Sequence, residues 1–214
     1  MAVNVVEATR TVAEVFPDAI IVPSLGTATS ATRLVTEDGP HFYFGAAMGS
    51  ALAAALGLAE AVPERQVVAL LGDGECLMGA STLWSVAACR PPNLVVVVLA
   101  DGAYTITGGQ PVAPALRLAE VGDALDGLAG AAAGSVEDLR TVLSSITQPG
   151  VVEVRITERV WPGPSPFVDP TEVVRRVRQN VGAPSGGLDS RVAPPSAGVV
   201  RQAHGRAPAP PDAT

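Results

Sequence analysis

Residues 67–75 read Val67-Val68-Ala69-Leu70-Leu71-Gly72-Asp73-Gly74-Glu75, and 28 positions beyond Asp73 the chain repeats the theme. There, Leu94-Val95-Val96-Val97-Val98-Leu99 leads through Ala100 into Asp101-Gly102-Ala103-Tyr104. Each is a short, uninterrupted apolar run that ends on an aspartate beside glycine. Runs of this kind are strands buried on both faces, as in parallel sheets covered by helices. An isolated Gly-Asp-Gly is a weak signal and is most often a tight turn. Two such endings, each following a buried strand at this separation, carry more. Both aspartates fall at the carboxyl edge of the sheet, where open α/β sheets bind ligands.

Glycines at that edge let the backbone approach a ligand closely, and the helix expected after Gly74 points its N-terminal amides and positive dipole end at the same place. An anion such as a diphosphate suits that position. Two carboxylates facing it would repel it without a divalent cation between them. Mg²⁺ held by one or two carboxylates and completed by phosphate oxygens meets the requirement.

Working outward, the spacing of Val5, Val6, Val12, Val15 and Phe16 predicts an amphipathic helix over 4–16. A buried strand is expected at 19–22 and another at His41-Phe42-Tyr43-Phe44. A helix of small residues follows over Met48–Ala61, and residues 78–89 read as helix up to Pro91-Pro92. Later come a helix near 113–121, a weak strand near 128–132, a helix over 135–146 and a strand over Val151–Ile156. The expected fold is α/β: a doubly wound, mostly parallel sheet with helices on both faces. No internal repeat is evident.

Composition bounds the chemistry. The 214 residues include 14 basic side chains, all arginine, with two histidines and two cysteines. The absence of lysine excludes a Schiff-base lysine and a P-loop lysine. Cys76 and Cys89 with two distant histidines do not make a four-ligand zinc site or a cluster-binding set. Both cysteines are expected to be small buried residues. Residues 1–160 carry 17 acidic residues and 8 arginines, which argues against a nucleic-acid surface. The arginine-only, alanine-rich usage fits a GC-rich bacterial genome. No apolar run is long enough to span a membrane, and the first residues lack the pattern of a signal peptide, so a cytoplasmic protein is expected. From Trp161 the composition turns rich in proline. Residues 161–182 are expected to form an extension with one short helix over Thr171–Val181, and 183–214 a tail too poor in apolar surface to order itself.

On Gly72-Asp73-Gly74, Asp101 and the segment Gly102–Gln110, the sequence resembles the diphosphate-binding (PP) domain of thiamine-diphosphate-dependent enzymes. It is most like the sulfopyruvate decarboxylase β subunit and the C-terminal domain of phosphonopyruvate decarboxylase. Phe42–Gly49 and Pro92-Asn93-Leu94 belong to the same likeness, which covers most of residues 4–157 and makes 1–160 the PP domain. The resemblance implies thiamine diphosphate and Mg²⁺ as cofactors. Asp73, the Asp101 side chain and the Ala103 carbonyl would hold the metal, and Gly72, Gly74 and Glu75 would receive the diphosphate. Met48 would prop the cofactor in its bent conformation, and the Ala46 carbonyl would accept from its amino group. Ser24, Gly26 and Thr27, with Tyr104 and Thr105, would border cofactor or substrate. Asp101 departs from the family, which usually has Asn there, and so adds negative charge beside a diphosphate.

The resemblance also implies an incomplete site. The activating glutamate of these enzymes comes from a separate pyrimidine-binding (PYR) domain, and nothing in this chain resembles one; Glu7, Glu14 and Glu37 read as solvated. An α subunit carrying a PYR domain would supply it, in an α₂β₂ heterotetramer or larger, acting on a small 2-oxo acid. Decarboxylation is the expected reaction and acyloin-forming carboligation the alternative. A 2-oxoacid oxidoreductase β subunit usually carries the Cys-rich site that this chain lacks. A non-catalytic interaction subunit would have no need of the paired carboxylates, and a nicotinamide- or flavin-binding Rossmann domain would need Gly-x-Gly-x-x-Gly after the first strand. The cation for an anionic substrate would come from Arg33 or from the α subunit. His41 is expected at a turn or on the surface, and Arg175, Arg176 and Arg178 on a solvated helix face.

Overall fold

A computed structural model describes residues 3–36, 39–45, 47–113, 117–164 and 168–182. The chain starts with α1 (Val5–Val15), whose N-terminus is closed by a capping box: Asn4 accepts from the Val6 and Glu7 amides, and the Glu7 carboxylate reaches back to the Asn4 N–H. Then follow β1 (Ile20–Pro23), α2 (Thr27–Thr36), α3 (Ala51–Ala61), β2 (Val67–Gly72), α4 (Asp73–Met78), α5 (Thr82–Cys89) and β3 (Leu94–Ala100). A two-residue hairpin, β4 (Ala103–Tyr104) with β5 (Gln110–Pro111), precedes α6 (Leu118–Asp123), β6 (Ala129–Ala133), α7 (Val136–Ser145), β7 (Gly150–Arg155) and α8 (Pro170–Asn180).

The five long strands form one parallel sheet in the order β1-β2-β3-β7-β6. The alternation of each strand divides the core into two layers. Val67, Ala69 and Leu71 of β2 and Val96 and Val98 of β3 pack on one face with α3, α5 and α6. Val68 and Leu70 with Val95 and Val97 pack on the other with α1, α2 and α7. The expected α/β architecture with helices on both faces is therefore present.

Several local expectations are corrected. Residues 41–44 form no strand. Phe42 and Phe44 donate their amides to the Ile21 and Pro23 carbonyls, as a parallel neighbour of β1 would. The ladder cannot close because Pro23 has no N–H to return, and the Ile21 N–H is taken by His41 Nδ1 at 3.2 Å. His41, for which a turn-capping or surface role is expected, is thus 5% exposed and accepts a backbone N–H of β1. The helix expected from Met48 begins at Ala51, because Gly49 takes a positive φ of 87° that a helix cannot contain. The helix expected over 78–89 is divided into α4 and α5 by a turn through Gly79, and the first piece begins as early as Asp73. The helix near 113–121 is α6, which starts at Leu118. Cys76 is buried as expected, but Cys89, at the end of α5, is exposed.

α8 starts on an Asp169 cap with Pro170 in its first turn and buries Val173 and Val177. Arg175 and Arg176 both bond Glu172 on the same helix and hold its carboxyl down at about 2. Residues 183–214, expected to be a disordered tail, and Glu37 lie outside the described residues.

Candidate functional site

A cavity of about 120 Å³ lies beyond the carboxyl ends of β1, β2 and β3. The β1–α2 connection contributes Leu25 and Thr27, the end of β2 and start of α4 contribute Gly72 to Glu75, and the end of β3 contributes Leu99 and Asp101. Met48 and residues 103–107 complete the wall, with Val5 and Ile156 at its side. Residues from six separate stretches of chain thus meet at one sheet edge.

Asp73 is the first residue of α4 and is 5% exposed. Its Oδ1 accepts the Gly74 N–H and its Oδ2 the Gly102 N–H, each at 2.8 Å, so the ends of β2 and β3 are tied through this one carboxylate. Burial pushes the Asp73 carboxyl above its ordinary value. The two N–H bonds oppose that rise and the Asp101 charge adds to it. Asp101 folds its own loop: Oδ1 accepts the Ala103 N–H at 3.0 Å and Oδ2 the Thr105 hydroxyl at 2.8 Å. Gly72 and Gly102 leave open space where a side chain would stand.

Other expected residues fall in different places. Ser24 does not line the cavity. It is buried, and its hydroxyl accepts the Gly72 N–H at 3.3 Å, making it a support beneath the turn. Gly26 has φ of 82° and lies directly under the Ile106 side chain, so it meets the cavity only through that residue. A Cβ on Gly74 would clash with the Tyr104 ring, which places that ring against the start of α4. Ala46 lies outside the described residues. Arg33 sits in the last turn of α2 over the Tyr43 ring, 5.7 Å from its centre, and is not among the cavity-lining residues. Burial pushes the Cys76 thiol up to about 12, which leaves it without thiolate at neutral pH.

The sequence reading missed Ile106 and two arginines. Arg159 donates to the Asp101 carbonyl at 3.2 Å. Arg155 ends β7 and lines a second cavity, of about 790 Å³, that shares Asp73 and Asp101. The signal for Arg155 was its position at the carboxyl end of a buried run, the same signal that marked the aspartates. Arg159 and Ile106 stand in loops and gave none.

The donor set suits a hard divalent cation: two carboxylates and a main-chain carbonyl at adjacent strand ends, beside backbone that a diphosphate can approach. Among the described residues, no three His, Cys, Asp or Glu side chains cluster as a metal site of their own. A metal here would need further ligands from phosphate oxygens or water.

The family model described as "Thiamine pyrophosphate enzyme, C-terminal TPP binding domain" matches residues 26–138. Phosphonopyruvate decarboxylase of Streptomyces hygroscopicus is 37% identical over 177 residues, 79% of this chain and 43% of that protein. The sulfopyruvate decarboxylase subunit beta of Methanothermobacter thermautotrophicus is 36% identical over 110 residues, 51% of this chain and 59% of that one. The chain spans about half the length of the curated relatives it matches. Among solved structures, the thiamine diphosphate-dependent 4-hydroxybenzoylformate decarboxylase of Rhodococcus jostii RHA1 aligns with a TM-score of 0.61 at 27% identity. That alignment covers 72% of this chain and 32% of that one.

Proposed function

The chain belongs to the thiamine pyrophosphate enzyme family, through its C-terminal TPP-binding domain, and from that premise we propose that it is the diphosphate-binding half of a two-subunit 2-oxo acid decarboxylase. The observation that carries this reading is the placement of Asp73 and Asp101 at the ends of adjacent strands, on one cavity, beside open backbone at Gly72 and Gly102. Bound thiamine diphosphate supplies a carbon nucleophile and an electron sink, which together allow a 2-oxo acid to lose CO₂.

In this reading, Asp73, Asp101 and the Ala103 carbonyl hold Mg²⁺, and Gly72, Gly74 and Glu75 present backbone to the diphosphate. Asp73, through its bond to the Gly102 amide, keeps the two metal-binding strand ends in register. Thr105 orients the Asp101 carboxylate. Met48, Thr27 and Tyr104 would exclude water from the cofactor, and Ile106 covers Gly26. The relatives' names support a small anionic 2-oxo acid, sulfopyruvate or phosphonopyruvate, as substrate. Arg155 and Arg159, at the carboxyl edge, are the chain's own candidates to meet its charge, in place of Arg33. Residues 1–160 form the cofactor domain, 161–182 an extension, and the activating glutamate comes from a PYR-domain α subunit in a cytoplasmic heterotetramer.

The test is to purify the chain alone and with a co-expressed PYR-domain partner, then measure CO₂ release from both 2-oxo acids with Mg²⁺ and thiamine diphosphate. Release by the pair and not by the chain alone is expected. Turnover by the chain alone overturns the half-site. Failure of the chain, alone and paired, to bind thiamine diphosphate overturns the cofactor reading.

A further inference from the structure

Glu75 is 6% exposed, lines the cavity, and carries a side chain for which the diphosphate reading has no use. Its Oε1 accepts the Ala51 N–H, at 3.2 Å, from the first residue of α3. The residue that normally caps a helix from within its own chain segment is Ser50, and Ser50 makes no side-chain cap. A carboxylate 24 residues away performs that task. Its other oxygen, Oε2, is buried with no hydrogen-bond partner among the described residues. A buried acceptor left unpaired is costly, so a cap for α3 is by itself a poor reason to keep a glutamate here.

The contact joins two parts of the cavity wall. Residue 75 belongs to the segment that carries Asp73, and Ala51 follows directly on the bend that carries Met48. That bend also presses against the end of α4. Gly49, at positive φ, lies 3.2 Å from the Met78 backbone when a Cβ is built on it, and a Cβ on Gly79 would strike the Gly49 carbonyl.

We propose that Glu75 is a positioning residue that holds Met48 against the cavity by tying the amide of Ala51 to the Asp73 segment. This rests on the reading that the cavity takes thiamine diphosphate, and charge and tie make opposite demands. Removing a carboxylate beside Asp73 and Asp101 favours an anionic ligand, whatever replaces it. Removing the acceptor for Ala51 loosens the bend that carries Met48. Gln keeps the acceptor and loses the charge, whereas Ala loses both.

The experiment measures thiamine diphosphate affinity at saturating Mg²⁺ for the full chain and for Glu75→Gln, Glu75→Ala, Met48→Ala and the Glu75→Ala/Met48→Ala double variant. Amide exchange at Ala51 is measured without cofactor in the same proteins. E75Q is expected to bind at least as tightly as the unaltered chain and to keep Ala51 protected. E75A is expected to bind about tenfold more weakly, the loss of one hydrogen bond, and to exchange Ala51 faster. The double variant should bind no worse than M48A alone, because Glu75 acts through Met48. Tighter binding by both E75Q and E75A, additive losses in the double variant, or Ala51 exchange unchanged in E75A each overturns the proposal. If the unaltered chain binds no cofactor either alone or with the co-expressed PYR-domain partner, the functional reading fails, and exchange at Ala51 still reports on the tie.

Discussion

At the scale of single residues, Asp101 stands where the resemblance implies Asn, and its hydrogen bonds define what an exchange between the two would change. Both of its oxygens accept, one from the Ala103 amide and one from the Thr105 hydroxyl. An Asn would keep the first bond through its carbonyl. Its NH₂ would donate to the same hydroxyl, which serves equally as acceptor. Asp101→Asn should therefore leave the loop intact while removing one negative charge beside the diphosphate. Thiamine diphosphate binding is expected to be retained or tighter by a few-fold, with a weaker dependence on Mg²⁺ concentration. A titration showing complete loss with Asn would remove Asp101 from the ligand set. Asp73 has no such latitude, since its two oxygens hold amides from two different strand ends.

At the scale of elements, the stretch after α2 shows how a single missing donor changes an assignment. The apolar run of 41–44 has the composition of a strand, and two of its amides do pair with β1. Pro23 prevents the return bond, and His41 fills the gap at Ile21 with a ring nitrogen. That role requires neutral imidazole, and burial pushes the His41 pKa down to about 4. Since the unfolded chain binds this proton near pH 6.5 and the folded chain does not, stability is complete above about pH 6.5 and falls as pH drops towards 4. The loss amounts to ~3 kcal/mol at most, by linkage from that shift. Urea unfolding at pH 7 and pH 4.5 should show it, and His41→Gln should remove most of this pH dependence. An unchanged slope in that variant would assign the dependence to other groups. The boundaries of α3 and of the α4–α5 pair were misread for a similar reason: Gly49 and Gly79 are set by a contact between two loops, which local periodicity does not report.

At the scale of the whole molecule, the described residues form a cofactor-binding layer with one working edge. α8 is joined to that body by Val173 and Val177 and by Arg65, which donates to the Asn180 and Asp18 carbonyls, each at 3.0 Å. The composition of 183–214, with proline, glycine and few large apolar side chains, predicts no contribution to the fold. A chain ending at residue 182 is expected to melt within about 1 °C of the full chain. A chain ending at 169 should melt several degrees lower, because burial of two valines and the Arg65 tether are lost. A large fall already at 182 would give the tail a structural role.

What the sequence determined by itself was the sheet and its working edge. Buried parallel strands need continuous apolar runs, and side chains at the carboxyl edge directly follow them, so the relevant information is contiguous along 67–75 and 94–104. That is why the α/β class and the placement of Asp73 and Asp101 at one sheet edge were legible without coordinates. Only the tertiary structure decided which residues surround them. Ser24 moved from the cavity to a support below it, Arg33 to the far end of α2, and Glu75 from a backbone contact to a link with Ala51. Arg155 and Arg159 entered from distant segments, and Ile106 from the loop that follows Asp101. The contacts at Ser24, Glu75, Arg159 and Ile106 join residues 24 to 80 positions apart in sequence, and no local pattern of hydrophobicity or turn chemistry encodes such a partner.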